Sequence, residues 1–222
     1  MRILICRHGE TDLNVQGRLQ GSLETSINAH GREQARLVGK ALMGENFDRV
    51  FCSPQRRCRE TLDEIMKSSP GMKVEYRDEL REISLGKYAG LDRHEIEEKF
   101  PGDWGERVDN KYEFVHEGGE SYKQVYEKRV KPLLKEFREK YSSRKILVLT
   151  HGGVCRVLLG DLLGLAPKEK MDIELPNDCI YYVDYLPHKT KVQFLLVESG
   201  IKGEGHLTKE LHKRRLKGIR RK

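Results

Sequence analysis

Residues 3–11 read Ile-Leu-Ile-Cys-Arg-His-Gly-Glu-Thr, a pattern that indicates the fold class. Its four leading apolar residues, Ile3 to Cys6, suit a short buried strand, and they end abruptly in a polar cluster. The same transition occurs at residues 145–153, Lys-Ile-Leu-Val-Leu-Thr-His-Gly-Gly. Unbroken apolar strands separated by helices are typical of parallel sheets that helices cover on both faces. The sequence therefore predicts an α/β fold, a three-layer α/β/α sandwich with a mainly parallel central sheet.

The segments between and after these two strands complete the predicted sandwich. Apolar residues at helical spacing, followed by stop signals such as Gly44, predict helices, whereas short apolar runs predict strands. Predicted helices cover residues 31–43, 56–66 and 119–141 and the segment after residue 151, and predicted strands cover 47–52, 179–186 and 192–197. The last two strands are expected to form a hairpin. Pro132 is expected to kink the long helix, because proline lacks the N–H that a helix interior uses.

Three of the predicted strands end in polar clusters, at residues 7–11, 53–57 and 150–153. Parallel strands present their carboxyl ends at one edge of a sheet, where ligands bind in open α/β folds. Two histidines and several arginines would then share one crevice. Guanidinium groups bind phosphate oxygens in a bidentate manner, and a neutral imidazole can attack phosphorus. The pattern therefore predicts a phosphoryl group as the ligand.

The pentapeptide Arg-His-Gly-Glu-Thr at residues 7–11 resembles the signature of the histidine phosphatase superfamily, the phosphoglycerate mutase-like family. Five further blocks follow in that family's order and spacing: Asn14 with Arg18 and Gln20-Gly21; Ser53-Pro54 with Arg57 and Thr61; Glu82 with Gly86, Tyr88 and Gly90; Gly119-Glu120-Ser121 with Arg129; and Thr150-His151-Gly152-Gly153. A single motif of this kind is weak, but six in order over roughly residues 1–200 are strong. The resemblance implies a phosphoglycerate mutase-like sandwich.

The resemblance also implies a role for each matching residue. His8 is the expected nucleophile that becomes phosphorylated, and Glu82 is the expected general acid for the leaving alkoxide. Arg7, Arg57 and His151 are expected to surround the non-bridging oxygens and to stabilise the charge of the transition state. The expected substrate-binding residues are Thr11, Asn14, Gln20, Gly21 and Gly152. No metal and no cofactor is expected, because arginine and histidine supply the positive charge.

The activity that follows from these roles is a metal-independent phosphatase that hydrolyses small-molecule phosphomonoesters through a phosphohistidine. A phosphoglycerate mutase dependent on 2,3-bisphosphoglycerate is the alternative. In the mutases an Arg and a Tyr just after the catalytic glutamate help to hold the substrate carboxylate, but Ile83, Ser84 and Leu85 follow Glu82 here. The span from Glu82 to Gly119 also looks short for a mutase, so a phosphatase is preferred. A non-catalytic phospho-ligand or RNA-tethered module is a more remote alternative, since every named residue is present.

Net charge taken alone would indicate a nucleic acid or a membrane as the partner. The 222 residues include 42 basic and 35 acidic side chains, a formal charge of +7. Residues 209–222 hold eight of the basic side chains and one acidic side chain, so the rest of the chain is neutral. The sequence predicts one enzyme domain over residues 1–205 and a basic C-terminal tail over residues 206–222. Nucleic-acid binding is not expected except through this tail, and a homodimer is left open.

The cysteine pattern and the lack of a long apolar stretch indicate the compartment. Five cysteines, an odd number without C-x-x-C spacing, argue against a disulfide framework and against a structural zinc site. No stretch approaches the roughly 20 apolar residues that span a bilayer. A cytoplasmic location without a membrane partner is therefore expected.

Residues 91–118, here called the lid segment, are expected to cover the crevice and to set the preference for the leaving group. The segment contains Trp104, the single tryptophan, for which packing and substrate contact are equally expected. The histidines outside the motifs are His30, His94, His116, His188, His206 and His212. They are expected at the surface, and a packing or substrate role is left open for His116.

Overall fold

A computed structural model describes residues 1–186, 189–208 and 211. In chain order its elements are β1 (Arg2–Arg7), α1 (Asp12–Val15), α2 (Ala29–Ala41), β2 (Arg49–Cys52), α3 (Arg56–Met66), β3 (Val74–Tyr76), α4 (Arg93–Lys99), α5 (Asp103–Asp109), α6 (Tyr122–Val125), α7 (Lys131–Lys140), β4 (Lys145–Thr150), α8 (Gly152–Leu162), α9 (Pro167–Asp172), β5 (Ile173–Glu174), β6 (Cys179–Asp184), β7 (Lys191–Leu196), β8 (Ile201–Glu204) and β9 (Leu207–Thr208). Short 3-10 turns occupy Asp78–Leu80 and Gly86–Tyr88, and a π-helical segment occupies Tyr126–Val130. The predicted basic tail lies outside the described residues except at positions 206–208 and 211, so its role stays a prediction.

Seven strands form one sheet in the order β3-β2-β4-β1-β6-β7-β8. The neighbours from β3 to β1 pair in parallel, and β6, β7 and β8 continue the sheet with antiparallel pairings. The predicted α/β fold with parallel central strands is confirmed, as is the hairpin of β6 and β7. The sequence does not predict the edge strands β3 and β8 or the small sheet of β5 with β9, because such short segments carry little apolar periodicity.

Helices cover both faces of the sheet, which explains why β1 and β4 are apolar at nearly every position. Alternate residues of a strand point to opposite faces. Leu4 and Leu147 belong to the core on the face of α2 and α3. Ile3 and Ile146 belong to the larger core on the face of α7 and α8. The result is the predicted three-layer sandwich.

The predicted helix over residues 119–141 is present as three consecutive helical segments over residues 122–140. It begins after Ser121, whose hydroxyl accepts the backbone N–H of Gln124. Pro132 lies in the first turn of α7, directly after the π-helical segment. A proline cannot donate to the carbonyl four residues earlier, and a wider turn accommodates the break in the hydrogen-bond ladder. The expected irregularity is therefore a π-helical turn before the proline.

The lid segment packs around a small aromatic core of its own. Tyr88, Ile96 and Phe114 are buried together, and Phe100 and Trp104 pack against them. Gly86 closes the base of this unit, because its φ is +50° and an added Cβ would lie 1.8 Å from the carbonyl oxygen of Glu117. Only glycine tolerates both the conformation and the close approach. The lid segment thus has packing that is separate from the two main cores.

All five cysteines are buried and unpaired. Burial raises the pKa of the Cys58 thiol to about 12, which keeps it protonated. Within the described residues, no three His, Cys, Asp or Glu side chains are grouped so that they could hold a metal ion. No helix in the described part of the chain is long and apolar enough to cross a membrane.

Candidate active site

The three polar clusters meet where parallel strands end. Arg7 of β1 lies opposite Thr150 of β4, and the Ser53 N–H after β2 donates to the carbonyl of Leu149 at 3.0 Å. This register brings the rings of His8 and His151 to a centroid distance of 5.2 Å. A cavity of about 330 Å³ opens beside them. A larger cavity of about 480 Å³ along β6–β8 has no histidine in its lining, so the chemistry favours the smaller one.

His8 is held so that one ring nitrogen is free. The residue is 2% exposed, and its Nδ1 lies 2.8 Å from the carbonyl oxygen of Gly9. A carbonyl only accepts hydrogen bonds, so Nδ1 carries the proton. Burial, followed by the charges of Arg7 and Arg57, holds the pKa of His8 well below its usual range. The ring is therefore neutral, and Nε2, which has no hydrogen-bond partner in the described part of the chain, keeps its lone pair.

The loop after β1 depends on a close contact between two backbones. Gly9 packs against Gly31 at the start of α2, where a Cβ on Gly9 would lie 2.4 Å from the carbonyl oxygen of Gly31. The Gly9 N–H donates to the hydroxyl of Thr61 on α3 at 2.9 Å. Two helices thereby fix the loop that carries His8. Glycine follows Arg-His in the sequence because no larger residue fits at this position.

Arg7 and Arg57 place two guanidinium groups beside His8. Arg7 donates from Nη1 to the Leu175 carbonyl at 2.9 Å, and its buried Nε has no partner in the described chain. Arg57 has no exposed surface, and its Nη atoms donate to the carbonyls of Leu23 and Gly21 at 2.7 and 2.8 Å. Burial lowers the pKa of both arginines, but their usual values are so high that both stay charged. These charges form the positive wall of the cavity.

His151 lies behind this wall and does not line the cavity. Its Nδ1 accepts the Nε–H of Arg57 at 3.1 Å, so the proton of a neutral ring sits on Nε2, which faces the Ser53 hydroxyl at 2.8 Å. Burial, with Arg57 as the next cause, holds the pKa of His151 well below its usual range. Both ring nitrogens are thus used within the protein. Contact of His151 with a phosphoryl oxygen stays a prediction.

Glu82 is fixed at the amino end of α8. Its backbone N–H donates to Oε1 of the buried Gln55 at 2.7 Å. Its carboxylate accepts the N–H groups of Gly153 at 3.0 Å, Val154 at 3.2 Å and Ile83 at 3.0 Å. The first N–H groups of a helix have no partner within the helix, and the side chain of Glu82 accepts two of them. The carboxylate of Glu82 also lines the cavity that contains His8.

Eight of the ten predicted site residues line this one cavity: Arg7, His8, Asn14, Gln20, Gly21, Arg57, Glu82 and Gly152. Thr11 does not; it is buried and caps α1 through a reciprocal pair of contacts with Asn14. The Asn14 Oδ1 is used in that cap, and its amide nitrogen has no partner among the described residues. Asn14 can therefore donate into the cavity, and Thr11 orients it.

Other cavity-lining residues lie outside the motifs, and no motif predicts them. They are Leu19, Arg107, Lys111, Tyr122 and Arg156. Trp104, for which packing and substrate contact are equally expected, also lines the cavity. Arg156 stands one helical turn after Gly152, so helical periodicity could have found it. Trp104, Arg107 and Lys111 belong to the lid segment, where no motif gave a signal. The expected surface position of His116 is wrong, because it is fully buried and contacts Arg107.

Comparison with known proteins identifies the family. The model of the histidine phosphatase superfamily (branch 1) matches residues 3–197. The chain belongs to this superfamily, as the six sequence blocks predict. Together with phosphatase relatives, this membership supports phosphatase activity.

The relatives include phosphatases and phosphoglycerate mutase-like proteins. Phosphoserine phosphatase 1 of Hydrogenobacter thermophilus is 32% identical over 165 residues, which cover 74% of this chain and 77% of that protein. A probable phosphatase of Schizosaccharomyces pombe is 32% identical over 162 residues, or 71% of each chain. Among solved structures, the α-ribazole phosphatase of Shigella flexneri has a TM-score of 0.77 at 24% identity, covering 86% of this chain and 93% of that one. This last likeness shows the fold alone.

Proposed function

We propose that the protein hydrolyses small-molecule phosphomonoesters by a two-step reaction, without a metal ion, with His8 as nucleophile and Glu82 as general acid. One observation carries the proposal. The Nδ1–H of His8 is committed to the Gly9 carbonyl, so a neutral Nε2 lone pair remains in a cavity lined by Arg7 and Arg57. A lone pair next to two fixed positive charges suits attack on a bound phosphoryl group.

In the first step, Nε2 of His8 forms a bond to phosphorus while the bond between phosphorus and the leaving oxygen breaks. The electron pair of that bond stays with the leaving oxygen, which takes a proton from the carboxyl group of Glu82. Oε2 of Glu82 accepts one backbone N–H, from Gly153, so it has room for this proton. The products are the free alcohol and a phosphohistidine.

In the second step, a water molecule attacks the phosphohistidine and Glu82 takes the proton of that water. The bond between phosphorus and Nε2 breaks, and its electron pair returns to the ring. Inorganic phosphate leaves, and the neutral His8 and the protonated Glu82 are restored. The same carboxyl group thus serves as acid and then as base.

The arginines stabilise the charge that moves during both steps. The unpartnered Nε of Arg7 and the remaining N–H groups of Arg57 can donate to the non-bridging oxygens. The Asn14 amide can donate beside them, because its oxygen is used in the cap of α1. Donors that are already in place need no reorganisation when the transition state forms. Their contribution is the charge that a metal ion supplies in other phosphatases.

The mutase alternative differs in what it does with the phosphohistidine, which it would pass to a second alcohol instead of water. Ile83 and Leu85 are buried and line the cavity just after Glu82, where a mutase would have an Arg and a Tyr for the carboxylate. An assay of 2- and 3-phosphoglycerate interconversion with a bisphosphate primer separates the two activities. We expect phosphate release and no interconversion.

The test of the mechanism is His8→Ala, assayed with p-nitrophenyl phosphate. We expect loss of hydrolysis by at least about 10⁴-fold, because no other nucleophile replaces the imidazole. After rapid acid-free quenching, labelled wild-type protein should carry a phosphoryl group that acid removes, and the variant should carry none. Thermal unfolding of the variant checks that it is folded.

Glu82→Gln tests the acid. A glutamine cannot donate a proton to the leaving oxygen, so hydrolysis of an alkyl phosphate should fall by about 10²- to 10⁴-fold. p-Nitrophenyl phosphate has a good leaving group, so the rate of its first step should fall less. Equal losses of kcat/KM, which reports the first step, for the two substrates would contradict the mechanism, as would turnover by the His8→Ala variant.

A further inference from the structure

Glu82, the proposed general acid, lies on a short loop, residues 81–84, that belongs to no helix or strand. Its backbone N–H donates to Gln55 at 2.7 Å. Two further backbone groups of the loop, the carbonyl of Arg81 and the N–H of Ser84, are bonded to a pair of charged side chains that does not line the cavity. The position of the acid therefore depends on residues outside the cavity.

Arg129 and Glu120 form this charged pair. Nη2 of Arg129 donates to Oε2 of Glu120 at 2.8 Å, and Nη1 donates to the carbonyl of Arg81 at 2.7 Å. The same Oε2 accepts the N–H of Ser84 at 2.9 Å, and the N–H of Glu120 donates back to the carbonyl of Ser84 at 2.8 Å. The pair thus holds the loop on both sides of Glu82.

The pair of Arg129 and Glu120 is partly buried. Their side chains are 18% and 29% exposed, and Nε of Arg129 is buried without a hydrogen-bond partner in the described part of the chain. Beside the pair, Gly119 packs so closely that a Cβ there would lie 2.3 Å from the carbonyl oxygen of Ser84. An isolated surface ion pair stabilises little, whereas one that is bonded into a network resists displacement by water. The pair is therefore suited to restrict the movement of the loop.

The π-helical segment at residues 126–130 explains how Arg129 reaches the loop. In a regular α-helix, residues three or four apart share a face, so Val125 would be followed on the core face by residue 128 or 129. The next buried residue is instead Val130, five positions after Val125. A π-helical turn is wider than an α-helical one, and such turns occur frequently at functional sites. Arg129 is thereby moved to the side of the core face, where it reaches the loop.

We propose that Arg129 and Glu120 are positioning residues for Glu82, which act through the backbone of residues 81–84 and not through contact with the substrate. The proposal rests on the phosphatase function above, since it concerns the acid of that reaction. Proton transfer to the leaving oxygen requires the donor within hydrogen-bond distance, and a displacement of about 1 Å can cost about 10²-fold in rate. Neither side chain lines the cavity, so both act at a distance from the substrate.

The experiment assays Arg129→Gln with glycerol 2-phosphate and with p-nitrophenyl phosphate. Glycerol leaves as an alkoxide and needs the proton of Glu82, whereas p-nitrophenolate is a good leaving group and hardly needs it. We expect kcat/KM to fall by about 10- to 100-fold for glycerol 2-phosphate and by less than about threefold for p-nitrophenyl phosphate. Equal losses for the two substrates would show that the variant disturbs the whole site and would overturn the proposal.

A double-mutant cycle shows whether Arg129 acts through Glu82. In the Glu82→Gln background the acid is absent, so adding Arg129→Gln should lower kcat/KM for glycerol 2-phosphate by less than about twofold more. A further loss of about 10- to 100-fold in that background would mean that Arg129 acts on another part of the site, and the proposal would be wrong.

The matched control is Arg138→Gln. Arg138 is in α7 of the same helical run, its Nη2 donates to Asp161 at 2.7 Å, and its Nε is buried without a partner among the described residues, as in Arg129. No hydrogen bond in the described part of the chain joins it to residues 81–84, and it does not line the cavity. This variant should keep kcat/KM for both substrates within about twofold of wild type. If it shows the same selective loss as Arg129→Gln, loss of an ion pair as such explains the effect and the proposal fails.

Glu120 is tested by two substitutions that differ in the acceptor. Glu120→Gln keeps an oxygen for the N–H of Ser84 and for Arg129, so kcat/KM for glycerol 2-phosphate should fall by less than about threefold. Glu120→Leu removes both hydrogen bonds and should match Arg129→Gln. Equal losses in the two Glu120 variants would mean that the acceptor oxygen does not hold the loop, which contradicts the proposal.

Two outcomes separate this proposal from the phosphatase function. Turnover by His8→Ala would refute the phosphohistidine mechanism, whatever Arg129 does. A selective loss in Glu82→Gln without one in Arg129→Gln would leave the mechanism standing and overturn the positioning role alone.

Thermal unfolding checks that Arg129→Gln is folded. Where it is not, Arg129→Lys replaces it, because an ammonium group keeps the charge beside Glu120 but has no planar fork to reach the Arg81 carbonyl as well. The same selective loss for glycerol 2-phosphate is expected of this variant, and its absence would overturn the proposal.

Discussion

The wall beside His8 and the lid segment contain the same pair of groups, a buried neutral histidine that accepts the Nε–H of an arginine. Beside His8, Arg57 donates to His151 at 3.1 Å, and in the lid segment Arg107 donates to His116 at 3.2 Å. The pairs differ in the hydrogen bonds that the two Nη atoms of the arginine make. Arg57 uses its Nη atoms on the carbonyls of Leu23 and Gly21, whereas the Nη atoms of Arg107 have no partner among the described residues.

The difference indicates that the two regions have different functions. The wall beside His8 is fixed to the main sheet and to the loop at Gly21, which suits a reaction step that is the same for every phosphomonoester. The lid segment packs around a separate aromatic core that includes Tyr88 and Phe114. Its arginine keeps free donors, which suits recognition of a leaving group that differs between substrates.

Among the substitutions that compare the two regions, replacing Arg57 should give the largest effect. A lysine has one ammonium group and cannot donate at once to His151, Leu23 and Gly21 as the guanidinium does. We expect Arg57→Lys to lower kcat/KM for p-nitrophenyl phosphate by about 10²- to 10³-fold, the range for loss of a donor to the transition state. Arg107→Lys should lower the same quantity by less than tenfold. Similar losses of kcat/KM in the two variants would show that the two regions have the same function.

Two adjacent glycines at the start of α8 provide a matched pair for the position of Glu82. A Cβ on Gly153 would lie 2.5 Å from Oε1 of Glu82, so alanine there must displace the carboxylate. A Cβ on Gly152 would lie 3.5 Å from Cζ of Arg7, an ordinary contact. We expect Gly153→Ala to lower kcat for an alkyl phosphate by about 10- to 100-fold, and Gly152→Ala to lower it by about threefold. If Gly152→Ala has the greater effect, the assigned position of Glu82 is wrong.

The smallest effect concerns the pH dependence of stability. It tests whether His116 of the lid segment is neutral in the folded protein. Burial is the main cause that lowers the pKa of His116 to about 4, from 6.5 in the unfolded chain. As the pH falls from 6.5 to 4, the unfolded state binds a proton at His116 and the folded state does not. The free energy of unfolding should therefore fall by about 2 to 3 kcal/mol over this window through His116.

His116→Gln removes this contribution, since glutamine does not titrate. Urea unfolding at pH 4.5 and 6.5 should show a smaller difference for the variant than for wild type. His94→Gln is the control, because His94 is exposed on α4 of the same segment, and it should behave as wild type. Identical pH dependence in wild type and His116→Gln would mean that folding does not lower the pKa of His116.

Most of the fold follows from local sequence. Strands such as Ile3 to Cys6 are apolar throughout because both faces of the sheet are covered, and this pattern is visible without a structure. The edge strands β3 and β8 were missed, since an edge strand has fewer buried positions and therefore a weaker apolar pattern. The sequence predicts an irregularity of the helix at Pro132, but it does not predict that the irregularity is a π-helical turn before the proline.

The residues beside His8 can be predicted from the sequence, because each follows a strand or begins a helix within a few positions and parallel pairing of those strands brings them together. The tertiary structure decided which nitrogen of His8 is free, since that depends on the Gly9 carbonyl. It also decided that Arg107 faces the cavity against a buried His116. Such contacts depend on how the lid segment packs on its own core, and no local pattern in the sequence encodes the direction of a side chain across a cavity.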